Sequence, residues 1–278
     1  MLVKSTKMQL DLIIHKKGFQ ISFLIVLGYV ILNYLYYVFT LWGYNSSDLY
    51  NPAVLNALNS DSKFSWYFIT YYPFLVVLPA GFIFMTDKEI NIIPIVQSRQ
   101  SVQNYYLSKI IAAFISGFIV FSIPFLFNLL INVLTFPLDA SGTLTNFPTY
   151  SDTYFEYASC YLFSNLYHSH IYLYYILTIL IFGCFSGIVS MFLVAISTFK
   201  LKYKIFMFLP FYLITYFIRL IGNNLDLSLD FNYGDYLMAS DIASNKNILF
   251  LISLILILLI SIFLITLYNI KHEKILLY

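Results

Sequence analysis

His168 and His170 lie two residues apart, beside Tyr167 and Tyr172, and Asp152 and Glu156 precede them. Imidazoles and carboxylates together are zinc chemistry, but no established zinc spacing is present. The group reads instead as an aromatic belt with polar tips at a membrane interface. Tyr167, His168 and His170 are kept as a candidate outer gate, with no metal. Asp226, Asp230, Asp235 and Asp241 form a second acidic set, without the glycine and closing glutamate of a calcium loop. Cys160 and Cys184 have neither metal nor disulfide spacing and read as unpaired thiols. Serines and tyrosines recur at membrane depth, but no base accompanies them, so no residue is assigned as catalytic. The chain also lacks a G-x-x-x-x-G-K-[ST] phosphate loop. If ATP drives the protein, the hydrolysing site is on another polypeptide.

The richest stretch is Thr86–Lys109, charged and broken by Pro94 between two apolar runs. Thr86-Asp87-Lys88-Glu89 predicts a capping box that opens a short helix carrying Ile90, Ile92 and Ile93. Pro94 ends or bends that helix. Ser98 or Ser101 then starts the next one, which enters the membrane through Tyr105, Tyr106 and Lys109. Isoleucines rimmed by charge suit a docking surface; they equally suit packing on the ends of the protein's own helices.

These residues must be positioned by a very apolar chain. Of 278 residues, 60% are hydrophobic and only 10% charged, and net charge is +2. Soluble domains are about 25% charged, so most of the chain has no water to face. The small net charge excludes nucleic-acid binding as an electrostatic expectation. About 20 apolar helical residues cross a bilayer. Six segments qualify: Phe19–Leu41, Trp66–Met85, Ile110–Leu134, Ile171–Phe199, Ile205–Ile221 and Ile248–Tyr268. The fifth is short and interrupted by Pro210. The first is too long for a signal-peptide core and no small-residue cleavage site follows it. With six spans, Lys63, Arg219 and Lys246 alone of the 15 Lys and Arg fall on one side. The other side, with both termini, is then cytoplasmic. Residues 1–18 predict an amphipathic helix lying in the inner interface. Lys4, Lys7, Asp11 and His15 share one face, and Val3, Leu10, Ile13 and Ile14 the opposite one. The fold class is therefore all-α integral membrane: an interfacial helix over 1–18 and a six-helix domain over 19–278. A cytoplasmic connector covers 86–109, and outer segments cover 42–65, 136–170 and 222–247. Within the third outer segment the aspartates predict a solvated cap, with a re-entrant turn as the alternative, and Arg219 just before it can snorkel outward or pair with one of them.

An interfacial helix, six spans and a charged connector after the second span resemble the permease subunit of a type-2 ABC exporter. The connector carries the likeness: Asp87 and Glu89 where that family has an acidic residue, Ser98-Arg99-Gln100-Ser101 as an S-R-x-S element, and Tyr105-Tyr106-Leu107-Ser108-Lys109 leading into the third span. Ile93-Pro94 stands where the family often has glycine. The resemblance implies a coupling helix with Glu89, Ile92, Ile93 and Arg99 at a separate ATP-binding subunit. It implies ATP and magnesium on that partner and none bound directly here. It also implies a second permease, self or paralogue, with the dimer axis mainly on the first and fifth spans, in a bacterial cytoplasmic membrane. The lipid bilayer is the other partner. No span centre carries a charged residue, which disfavours ion-coupled transport and favours an amphipathic or apolar cargo such as a peptide, drug or lipid. An integral-membrane lipid-processing enzyme and a non-catalytic scaffold or sensor are the alternative readings.

Two further features are specific. Gly183-Cys184-Phe185-Ser186-Gly187 is a G-x-x-x-G that permits close helix approach, continued by Ser190, within or between protomers. Residues 153–170 predict an amphipathic helix on the outer surface, gating or simply capping the bundle.

Overall fold

In a bilayer the backbone amides find no partner but one another, so an apolar chain must fold as helices or a closed barrel. The computed structural model describes residues 2–44, 49–90, 101–138, 140, 158–159, 161–199, 203–224, 232–239 and 248–276. The described residues form α1 (Leu2–Ile14), α2 (Lys17–Thr40), α3 (Ser65–Leu75), α4 (Ile83–Glu89), α5 (Val102–Thr135), α6 (Ser164–Ser169), α7 (Ile171–Ile196), a 3-10 helix (Lys204–Phe208), α8 (Leu209–Asn224), α9 (Tyr233–Leu237) and α10 (Ile248–Leu276).

Four helices among the described residues are long and apolar enough to cross a membrane: α2, α5, α7 and, in α10, Ile248–Lys271. That corrects the expectation of six continuous spans. The second expected span is not one helix. α3 ends at Leu75, residues 76–82 run as turns through Pro79 and Gly81, and α4 restarts at Ile83. Proline cannot donate to the ladder and clashes with the preceding turn. The fifth is a 3-10 turn followed by a shorter apolar stretch, Phe206–Leu220. Pro210 does not interrupt α8; it lies in the helix's first turn, where no intrahelical N–H is needed.

The contacts give the longer helices and the α3–α4 segment their directions. At one end of the bundle Ser5 of α1 donates to Ser108 near the start of α5, at 3.1 Å. At the other, the Tyr34 and Thr135 hydroxyls meet at 3.0 Å, so α2 and α5 are parallel. α7 runs against α5, with Phe114 beside Gly187 and Ser122 beside Gly183. α3 and α4 follow α7 along its length: Asn59 bonds Tyr175, Tyr72 bonds Ser186, Ser190 bonds the Val76 carbonyl and Lys88 bonds the Thr198 carbonyl. α10 descends likewise, from Phe250 beside Tyr236 to Asn269 beside Thr198.

α7 is the central helix. Of its most apolar stretch 72% is buried, against 28% in α2 and in α10. The G-x-x-x-G lies in its seam with α5. A Cβ on Gly183 would stand 2.7 Å from the Ser122 hydroxyl, and one on Gly187 2.6 Å from the Phe114 ring. Small residues here let two backbones approach within one chain. Tyr72 fills the middle of the bundle, packed edge-on against Phe121 and tilted on Phe182, with its hydroxyl on Ser186 at 2.9 Å.

α1 keeps most of its expected apolar face: Ile13 lies in the core, and Leu10 and Ile14 pack against it. Thr6, Gln9 and Ile13 are buried against the bundle, while Val3, placed with the apolar set, is 84% exposed. Lys4, Lys7, Asp11 and His15 are exposed as their spacing predicts.

Candidate functional site

The charged tetrapeptide Thr86–Glu89 occupies the last turn of α4, not the first turn of a new helix. Thr86 is no N-cap: its hydroxyl donates back to the Phe82 carbonyl at 2.6 Å, one helical turn earlier. The helix had already begun, because the Pro79–Gly81 break sets its start at Ile83. The next helix opens on Ser101, whose hydroxyl accepts from the Asn104 amide at 3.4 Å.

Placed at a C-terminus, the three charges each reach a different element. Asp87 pairs with Lys109 of α5 and accepts from the Tyr105 hydroxyl at 2.7 Å. Lys109 has no exposed surface, and its ammonium lies 4.6 Å from the Phe84 ring centre and 4.5 Å from that of Tyr105. A buried ammonium requires such a counter-charge, and ring faces add to it. Lys88 donates to the Thr198 carbonyl, just past the end of α7, where orphan carbonyls attract cations. Glu89 pairs with Lys204 of the 3-10 helix at 2.6 Å, exposed to solvent. Asn269 of α10 bonds the Thr198 hydroxyl at 2.7 Å. One helical turn thus ties α4 to α5, to the exit of α7 and to the start of the α8 segment. Of the four expected coupling residues, Glu89 is in this knot; Ile92, Ile93 and Arg99 lie outside the described residues.

The opposite end is built differently. Residues 52–59 are wholly buried, although they form no helix. Asparagines satisfy their backbone. Asn128 of α5 accepts from the Ala57 amide at 2.7 Å, and Asn56 donates to the Phe125 carbonyl at 3.2 Å. Asn33 of α2 donates to the Leu55 carbonyl at 3.2 Å, and Asn59 donates to the Val54 carbonyl at 2.8 Å. An amide both donates and accepts, so it can pair with either backbone group. The segment also pairs with the last outer connector: Ser60 N–H donates to the Ala239 carbonyl at 2.9 Å and Ala239 N–H to the Leu58 carbonyl at 3.0 Å. In that connector, expected as a solvated cap or a re-entrant turn, the described residues Tyr236, Leu237 and Ala239 are buried.

Between α3, α8 and α9 lies a cavity of about 620 Å3. Its lining includes Asp61, Trp66, Tyr216, Arg219, Tyr233 and Asp235. Arg219 therefore shares a cavity with an aspartate of the connector. Asn232 bonds the Asp235 carboxylate at 2.7 Å, and the Tyr233 hydroxyl reaches the Ile69 carbonyl at 3.3 Å. Burial, and secondarily Tyr212, push the Tyr233 phenol well above its usual range, so it stays a donor.

The three residues expected at an outer gate differ in burial. Tyr167 is buried, edge-on to Tyr161 at 4.9 Å and Tyr174 at 5.1 Å, whereas His168 and His170 are exposed. No group of three metal-binding side chains occurs among the described residues; Asp152 and Glu156 lie outside them. Among the described residues of 153–170 there is no single continuous helix. Phe163 takes a left-handed backbone, φ 62°, and only the short α6 follows it. Sequence reasoning missed the asparagines altogether. The available signal was Asn128 and Asn132, one helical turn apart on an otherwise apolar span.

No protein-family model matches the chain, and no curated protein and no solved structure matches it either. Fold and composition define a multi-span α-helical membrane protein.

Proposed function

We propose that the chain is the membrane-spanning permease subunit of an ATP-driven exporter of the type-2 ABC kind. It passes the bilayer six times, with α3 and α4 together as the second pass and the 3-10 helix with α8 as the fifth. Both termini are cytoplasmic, since Lys16, Lys88, Lys109 and Lys204 gather at one end of the bundle. α1 lies in the inner interface. The cargo is an amphipathic or apolar peptide, drug or lipid. ATP and magnesium are held by a partner subunit, and a second permease, self or paralogue, completes the transporter.

The observation that carries this reading is the knot at the end of α4. A push on the 86–109 connector reaches α5, α7 and the α8 segment through Asp87, Lys88 and Glu89. That linkage is what a rigid-body switch between two packings needs. Co-purification from detergent extracts tests the reading. A P-loop ATPase should accompany the chain, and its hydrolysis should respond to it. Paired Glu89→Ala and Arg99→Ala replacement should uncouple transport from hydrolysis while leaving insertion intact. An ATPase that never binds, or hydrolysis indifferent to this subunit, removes the proposal.

A further inference from the structure

We infer that the cavity between α3, α8 and α9 binds the headgroup of a zwitterionic phospholipid from the outer leaflet. Among the described residues, Arg219 is the cation of the lining, and Asp61 and Asp235 are its carboxylates. A simple anion would meet two like charges, and a simple cation would meet the guanidinium. A ligand carrying both signs meets its complement at each. Guanidinium binds phosphate through paired, charge-assisted hydrogen bonds. An ammonium is held by carboxylates and by ring faces, and Trp66, Tyr212, Tyr216 and Tyr233 line the same space.

Size and surroundings favour a lipid. A volume of about 620 Å3 lies within the usual range for small-molecule sites, about 300–1,000 Å3. The rim is aromatic and open: Trp66, Tyr212 and Tyr216 line the cavity and are themselves exposed. Trp66 and the exposed Tyr67 are residues of the headgroup level. A headgroup in the cavity can therefore leave its acyl chains against that rim, which a soluble zwitterion cannot use. The inference goes beyond transport by ATP and needs no partner subunit, so the two can fail separately.

Trp66 offers a direct probe, because the chain has only 2 tryptophans. The full chain carrying W42F is purified in maltoside and titrated with phosphatidylethanolamine or phosphatidylglycerol, each brominated on its chains. Phosphatidylethanolamine should quench Trp66 at about tenfold lower mole fraction, the worth of one well-placed charge-assisted contact. R219Q should remove about tenfold of that affinity, and R219K should keep most of it. D61N with D235N should weaken phosphatidylethanolamine but not phosphatidylglycerol. R219E should turn the preference towards ethylphosphatidylcholine, a purely cationic lipid, which no merely structural loss would produce. Equal quenching by both lipids, unchanged by these variants, would mean annular contact only and overturns the inference. Displacement by soluble glycerophosphoethanolamine at matching concentration would make the ligand a free zwitterion and overturns the lipid assignment.

Discussion

The two ends of this bundle solve one problem with opposite chemistry. At the end holding α4, regular helices stop and their termini are joined by full charges: Asp87 to Lys109, Lys88 to Thr198, Glu89 to Lys204. At the other end an irregular chain is buried, and neutral amides satisfy it: Asn33, Asn56, Asn59 and Asn128. Charges link elements through a few partners that can part and re-form together. Amides distribute the same work over many backbone groups, so no single bond commands the rest. The first arrangement suits a part that moves as a unit, the second a part that holds its shape.

Mutation should separate the ends by size of effect. The largest loss is expected from Asp87→Asn, which leaves the Lys109 ammonium buried without a counter-charge, at about 3–5 kcal/mol in thermal unfolding in detergent. Adding Lys109→Met should restore most of it; no restoration would show that the pair is not what the knot depends on. Gly187→Leu tests the seam common to both ends and should cost about 1–3 kcal/mol, since the added branch meets the Phe114 ring and carbonyl. At the amide end, Asn59→Ala should cost about 1–2 kcal/mol, because the buried Val54 carbonyl loses its side-chain donor. A loss as large as that of Asp87→Asn would erase the contrast drawn between the ends. The smallest effect belongs to Glu89→Ala, below about 1 kcal/mol, because its pair with Lys204 is solvent-exposed. Stability would then survive while coupling, if the proposed function holds, is lost.

Much of the architecture was legible in the order of residues. The first, third, fourth and sixth spans are uninterrupted apolar runs, and such runs become helices in lipid whatever surrounds them. Ser101 as helix start and the alternatives left at Gly183 and Gly187 were also readable. The second span was misread because its prolines, Pro73 and Pro79, read as tolerated within a membrane helix; Pro73 is, but the chain unwinds around Pro79 and Gly81. The same oversight misplaced the capping box. A Thr-x-x-Glu pattern looks alike at either end of a helix, and only the break upstream shows that Ile83 had already begun one. The connector asparagines, Asn56 and Asn59, were hidden for another reason. Asparagine in a connector ordinarily means a solvated turn, and nothing local reveals that the turn is folded inward.

What the sequence determined alone is the solvent: a chain 60% hydrophobic and 10% charged must satisfy its backbone in helices and turn their apolar faces to lipid. Its basic residues likewise mark out one end of the bundle. Tertiary structure decided which charges meet and where space is left. The Asp87–Lys109 pair and the cavity holding Arg219, Asp61 and Asp235 join residues far apart in the chain. Hydropathy and spacing are local quantities. Pairing across helices depends on their rotation and depth, which the packing of α7 against α5 and of the 52–59 segment beneath them brings about.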